Sequence, residues 1–307
     1  MMNRKAQVAI VVMFLTAVWF GLQPWITQSA VQLSSAAAFN TQRYVIAAAL
    51  MGIVCLATRA KVTRRALISG GAVGLAYAVT IGFEMEALAA GSVGRVTFIG
   101  SLFVAFMPFL GFLLHRRKIQ RASILGGVLM VAGVWWLFYT PNALTGGDLY
   151  ALLRAAAAAG LLLAIEKFAG ADWRVSSFVN FCVVALCSFA AALFSGQTQF
   201  SMQSDVLLPA LIAALFGSVL CMVGMQWSGR WITATLMGVM LFMDSPMAVV
   251  WGMVMGKESL TPTSMLAYTL IAVGAIAALT AGSLRLPRLF PRRADQPVIT
   301  AERATAV

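Results

Sequence analysis

Asp244 is the acid whose setting most invites chemistry. Met243 and Ser245 flank it inside a long apolar run, and Pro246 follows two residues later, removing a backbone donor and exposing a carbonyl one turn upstream. A charge at membrane depth costs at least ~2.5–3.5 kcal/mol on insertion scales, so this carboxylate needs a reason to be there. One reason is a cavity-lining acid that binds an amine or carries a proton. The other is a structural acid bonded to a neighbouring helix.

Arg43, Glu84 and Glu86 form a second set. Both glutamates close the third apolar run near its outer end, and Arg43 opens the second run on the same side. Opposite charges at one depth on consecutive helices predict an ion pair, with an extracellular gate as the functional alternative. Glu84 falls seven residues after Tyr77, which puts both on one helix face, with Ile81 between them, and that face can line a cavity. Arg154 stands in the first turns of the sixth run, near the outer interface, where snorkelling predicts a membrane anchor ahead of a substrate contact. Glu166 and Lys167 end the same run on the inner side, where solvated chains are expected.

Four aromatic residues, Trp19, Trp25, Tyr77 and Phe98, stand near the polar Gln23, Thr97 and Ser101. Ring faces combined with a few hydrogen-bond partners suit an amphiphilic metabolite. An interfacial belt or plain core packing is the alternative for each ring taken singly. With the further polar residues Asn180 and Gln226, the expected substrate contacts are Trp19, Gln23, Tyr77, Glu84, Phe98, Ser101, Asn180, Gln226 and Asp244. Arg43, Glu86, Pro108 and Pro246 are expected to be structural or gating residues, the two prolines as bending points or static kinks. Gly70 with Gly74, and Ala78 with Gly82, have the spacing that lets membrane helices approach.

A catalytic or cofactor-holding set is not expected. Cys55, Cys182, Cys187 and Cys221 all lie inside apolar runs without metal-ligand spacing, and the single histidine, His115, sits in a basic loop. Gly146-Gly147-Asp148 is the nearest approach to an intramembrane aspartyl motif, but it falls at a loop edge. No Walker-type phosphate loop appears, so nucleotide hydrolysis is not expected as an energy source.

These side chains need elements to hold them, and the composition says which. Of the 307 residues, 61% are hydrophobic and 10% charged, with a mean hydropathy of +0.89. A soluble domain is about 45–50% apolar and about 25% charged, so an all-α polytopic membrane protein is expected instead of a soluble, disordered, secreted or nucleic-acid-binding one. Ten stretches have the roughly 20 apolar residues that a bilayer requires. They lie near 6–29, 40–58, 67–88, 94–114, 122–140, 148–168, 175–195, 206–227, 231–254 and 263–284. The first follows Arg4 and Lys5 but runs too long for a signal peptide.

The net charge of +12 becomes a topology signal on this plan. With the N-terminus inside, the outer side receives only Arg43, Arg95, Arg154 and Lys257 of the 22 basic residues, so both termini are expected in the cytoplasm. The basic tail after Leu284 has no apolar period and is expected to seek the lipid surface.

An internal repeat completes the plan. The segment Leu114-His115-Arg116-Arg117-Lys118-Ile119-Gln120-Arg121, leading to Gly133, has a counterpart 141 residues later in Met255-Gly256-Lys257-Glu258-Ser259-Leu260-Thr261-Pro262, leading to Gly274. Phe106-Met107-Pro108 likewise faces Asp244-Ser245-Pro246 at an offset of 138. Two five-helix halves, 1–141 and 142–284, result, followed by the tail 285–307. An odd helix number inverts the second half, which is the arrangement secondary transporters use for alternating access.

The stretch Trp19-Phe20-Gly21, Arg43, Phe98 to Pro108, and Gly256 to Pro262 followed by Gly274 together resemble an EamA-type member of the drug/metabolite transporter superfamily. One departure is Arg117, which stands where the family usually has Glu. The resemblance implies a ten-helix exporter of small metabolites in the inner (plasma) membrane, with a central cavity lined by helices 1 to 4 and 6 to 9 and with helices 5 and 10 at the periphery. Amino-acid exporters, including those for aromatic amino acids, are members of that superfamily, while drug exporters and lipid flippases share the fold. A small-molecule substrate and the lipid bilayer are the expected partners, with no nucleic acid, and a monomer is the expected state.

Overall fold

The computed structural model describes residues 4–116, 121–139, 145–198, 200–257 and 261–283. They form helices and connecting turns, with no strand among the described residues. In chain order the helices are α1 (Arg4–Leu33), α2 (Ala36–Ala57), α3 (Arg64–Ala90), α4 (Val93–Gly100), α5 (Phe103–His115), α6 (Arg121–Tyr139), α7 (Gly146–Lys167), α8 (Trp173–Phe194) and α9 (Ser204–Ile212). A π-helical segment (Ala213–Met222) leads into α10 (Val223–Ser228), followed by α11 (Ala234–Leu241), α12 (Asp244–Val254) and α13 (Pro262–Ser283). The expected loop residues Arg117, Lys118 and Glu258 and the tail 285–307 lie outside the described residues, as does the side chain of His115.

Eight of these units are long and apolar enough to cross a membrane: α1, α2, α3, the pair α4–α5, α7, α8, the run α9–α10 and the pair α11–α12. Two further apolar helices, over Ser123–Trp136 and Pro262–Ala278, are shorter. Polar residues at the ends of several helices set where they begin. Ser35 accepts from the Ala38 amide, Thr63 from Ala66 and Thr233 from Leu236, each covering one of the amides that a first turn leaves unpaired.

Two spans are broken at mid-depth. Between α11 and α12 the cause is Pro246, whose missing N–H leaves the Phe242 carbonyl, four residues back, to the Ser245 amide at 3.3 Å. Between α4 and α5 the break falls at Ser101 and Leu102, ahead of Pro108, which lies inside α5. Hydroxyls compete for the backbone there: Thr97 Oγ donates to the Val93 carbonyl at 2.5 Å, and Ser101 Oγ to the Phe98 carbonyl at 2.6 Å. Back-bonding of this kind bends a helix without proline.

The packing interleaves the first and second halves of the chain. α3 lies against α7 and α8, α2 against α8 and the π segment, and α1 against α9 to α12, while α6 and α13 pack on each other. Gly70 and Gly74 permit the α3–α8 crossing, because a Cβ at Gly70 would meet the Ser176 carbonyl oxygen at 2.6 Å and one at Gly74 would meet Val183 Cβ at 2.9 Å. Gly82, also expected to be a packing residue, faces open space.

Polar contacts close one end of the helix bundle around this core. Arg95 grips Asp148 with two bonds, Nε to Oδ1 at 2.7 Å and an Nη to Oδ2 at 2.9 Å, and Asp148 Oδ2 also accepts the Thr145 amide at 2.9 Å. Asp148 is thus an α7 cap and the anchor of α4, rather than a carboxylate left free for hydrolysis. Gln28 adds a tie from α1 to the Gly91 carbonyl at 2.9 Å. At the opposite end Ser69 and Ser176 hydroxyls meet at 2.9 Å, and the Arg230 guanidinium donates to the Ala171 carbonyl. Asp172, which caps α8, has its carboxyl held below the usual carboxylate range by the hydrogen bonds it accepts from Arg174.

Candidate functional site

Three charged side chains from three helices meet inside the bundle. Arg154 of α7 pairs with Glu84 of α3, Nε to Oε2 at 3.3 Å, both side chains being largely buried. Asp244, the first residue of α12, is 5% exposed and close enough to interact electrostatically with both. Its carboxylate accepts the Ser245 hydroxyl at 2.9 Å and sits at a helix start, where unpaired amides favour negative charge.

These three side chains share a cavity with about 580 Å³ of empty space, the part open to solvent included. Phe20 and Gln23 of α1 form one wall, and Tyr77, Thr80 and Ile81 of α3 a second. Ala158, Leu161 and Leu162 of α7 face them, with Phe103, Met225 and Leu241 completing the surface. The chemistry follows from the inventory. Two carboxylates against one guanidinium leave a net charge of minus one when all three are ionised, inside a wall otherwise built mostly of rings and aliphatic chains, with Gln23 and Thr80 as its neutral polar members. Such a site attracts a cationic head and accommodates an apolar body.

Of the expected substrate contacts, Gln23, Tyr77, Glu84 and Asp244 line this cavity. The others are placed elsewhere. Trp19 packs on Phe216 with ring centroids 5.1 Å apart, and Phe98 stacks on Tyr268 at 3.9 Å. Ser101 is occupied at the α4–α5 break. Asn180 is fully buried in α8 behind Gly74, and Gln226 lines a separate small cavity with Ser69 and Ser176. Helices α2 and α8 contribute no side chain to the central cavity, although the resemblance implied that the corresponding spans would.

The expected ion pair between Arg43 and Glu84 or Glu86 is not formed. Arg43 donates from Nε to Ser218 Oγ at 2.9 Å and from an Nη to Gln23 Oε1 at 3.3 Å, while Glu84 takes Arg154 instead. Glu86 is half-buried, with no ion-pair partner among the described residues. A shared position along neighbouring helices does not give the direction in which a side chain leaves its helix.

Arg154 lines the cavity, whereas the sequence reading placed it at the outer interface as an anchor. Eight residues into α7 it lies about 12 Å from the helix start, too deep to snorkel comfortably. That spacing was available as a signal. Gly100 makes the position possible, because a Cβ there would collide with the Arg154 guanidinium.

Residues 7–139 match the EamA-like transporter family. The matched stretch holds α1, α3 and α5, which supply part of the cavity wall. No curated protein matches the chain. A solved structure titled only as the crystal structure of a protein is similar over 91% of this chain and 99% of its own, with a TM-score of 0.64 at 18% identity, a likeness of fold alone. Among the described residues no cluster of histidine, cysteine or acidic side chains has the arrangement of a metal site.

Proposed function

We propose that the chain is a secondary transporter that exports small metabolites across the plasma membrane by alternating access, and that its substrates are amino acids with apolar side chains. The observation that carries this reading is the Glu84–Arg154–Asp244 group set in an aromatic and aliphatic cavity. An ammonium completes the charge of that group, and the side chain of an apolar amino acid matches the remaining wall. The EamA-like match over residues 7–139 supports transport as the activity.

The same reading extends to architecture. Residues 1–141 and 142–284 are two inverted five-helix repeats, with α6 and α13 as the fifth and tenth membrane helices and the basic tail and both termini in the cytoplasm. Mid-depth breaks in α4–α5 and α11–α12, at related places of the two halves, support this plan, since discontinuous helices at the repeat interface are a transporter device. Alternating access requires the Arg95–Asp148 tie at one end and the Ser69–Ser176 contact at the other to open in turn. The protein acts as a monomer.

An apolar cleft favours a second reading, a drug exporter or lipid flippase. It is lined by Val8, Val12, Met51, Val54, Val219, Val223 and Trp227 between α1, α2 and the π segment. A counterflow screen separates the two. Proteoliposomes preloaded with unlabelled amino acids, with and without a pH gradient, should accumulate labelled leucine or phenylalanine. Accumulation of no amino acid in the panel would sink the amino-acid reading and turn attention to lipid-like substrates.

A further inference from the structure

The second buried arginine raises a question the cavity charge does not answer. Arg43 is fully buried in α2, yet no carboxylate lies within ion-pair distance of it among the described residues. Its Nε and one Nη reach only neutral acceptors, Ser218 Oγ and Gln23 Oε1, its ring neighbour is Tyr44 at 5.0 Å, and Nη1 has no hydrogen-bond partner among the described residues. Taking an arginine out of water without a counter-charge is strongly unfavourable, and a membrane interior makes it more so.

The surroundings are built to keep that charge available. Ser218 comes from the π-helical segment, an irregularity that concentrates at functional sites. A Cβ at Gly217 would collide with Gln23 Oε1 and approach Arg43 Nη2 to 3.0 Å, so the segment presses close only because this residue is glycine. Gln23 and Tyr77 are both walls of the central cavity, and Arg43 donates to the Gln23 carboxamide oxygen at 3.3 Å, so the guanidinium stands behind the Gln23 part of that wall. Gln23 touches both the cavity and the guanidinium.

We infer that Arg43 is the carboxylate-recognising group of the transport site, and that the Gln23 carboxamide oxygen holds the place a substrate carboxylate oxygen takes when the Gln23 side chain turns aside. The inference rests on the export reading and sharpens it. Arg154 is already answered by Glu84 and Asp244, whereas Arg43 carries an unanswered positive charge, so the two regions together complement a zwitterion: ammonium at Asp244 and Glu84, carboxylate at Arg43. The ligand class is therefore an α-amino acid, as opposed to an amine or a carboxylic acid alone.

Equilibrium binding to the purified full chain tests this with matched probes: leucine against 3-methylbutylamine, and phenylalanine against 2-phenylethylamine. Each amine is its amino acid without the carboxylate. Gln23→Glu sets a permanent carboxylate beside Arg43 with almost no change of shape, and should lower the amino-acid-to-amine affinity ratio about tenfold or more. It should also raise the melting temperature, because a buried charge gains its partner. Arg43→Gln, where it folds, should lower the same ratio. A Gln23→Glu ratio within about threefold of wild type would overturn the assignment of Arg43 while leaving the export reading intact. Wild-type protein that binds neither amino acid would overturn the export reading, and this inference with it.

Discussion

Asp244→Asn is expected to weaken amino-acid binding by about tenfold to a hundredfold and to stop counterflow, while the yield of folded protein is unchanged. The magnitude follows from the interaction removed, since a hydrogen bond to a charged group contributes about 1.5–3 kcal/mol and about 1.4 kcal/mol is a factor of ten in affinity. Asparagine keeps the shape of the side chain and an oxygen able to accept the Ser245 hydroxyl, so the start of α12 has no cause to unravel. What changes is charge. With Asp244 neutral, Glu84 and Arg154 cancel, and the cavity no longer favours an ammonium. Binding isotherms and size-exclusion profiles of the two proteins, taken side by side, check both halves of the expectation. Undiminished affinity would return Asp244 to the structural role that its sequence setting also allowed.

The largest effect on stability is expected at Arg154. Arg154→Met removes the cation from between two buried carboxylates, and stranding one member of a buried pair costs about 3–5 kcal/mol. The variant should therefore melt well below wild type in detergent. Glu84→Gln combined with Arg154→Met should recover most of the loss, because the stranded charge at 3.3 Å is then gone. Failure of the double variant to recover, or an unshifted melting curve for the single one, would mean that water and not Glu84 compensates Arg154.

How much of this could be seen in the residues beforehand depends on what each residue needed. Helical class and the positions of the spans follow from apolar run length, which the bilayer fixes, and eight spans appear where the runs lie. Asp244, Glu84, Tyr77 and Gln23 were recognisable because a polar group at membrane depth requires an explanation. Their partners were harder to find. Arg43 and Glu84 share a depth, but α2 turns Arg43 toward the π segment and α3 turns Glu84 toward α7, and that azimuth is set by helix packing that no spacing rule encodes.

The broken helices show the same limit from another side. Pro246 marks its break, as a missing donor should. The matching break in the first half comes from Thr97 and Ser101 bonding back to the helix, while Pro108, the residue that looked equivalent, sits in continuous helix. Trp19 and Phe98 illustrate a third case. A ring beside polar neighbours in sequence can still turn to another ring, and Phe216 and Tyr268 provided those rings.

Whether an amino acid occupies the Asp244 cavity can be read at Ala158, which lines it. In a background where Cys55, Cys182, Cys187 and Cys221 are replaced by alanine, Ala158→Cys provides a single thiol for a small alkylating reagent. Leucine or phenylalanine should slow its alkylation in a concentration-dependent way, and adding Asp244→Asn should remove the protection. Alkylation that ignores both amino acids while counterflow of the same amino acids persists would place the transport path elsewhere and contradict the site described here.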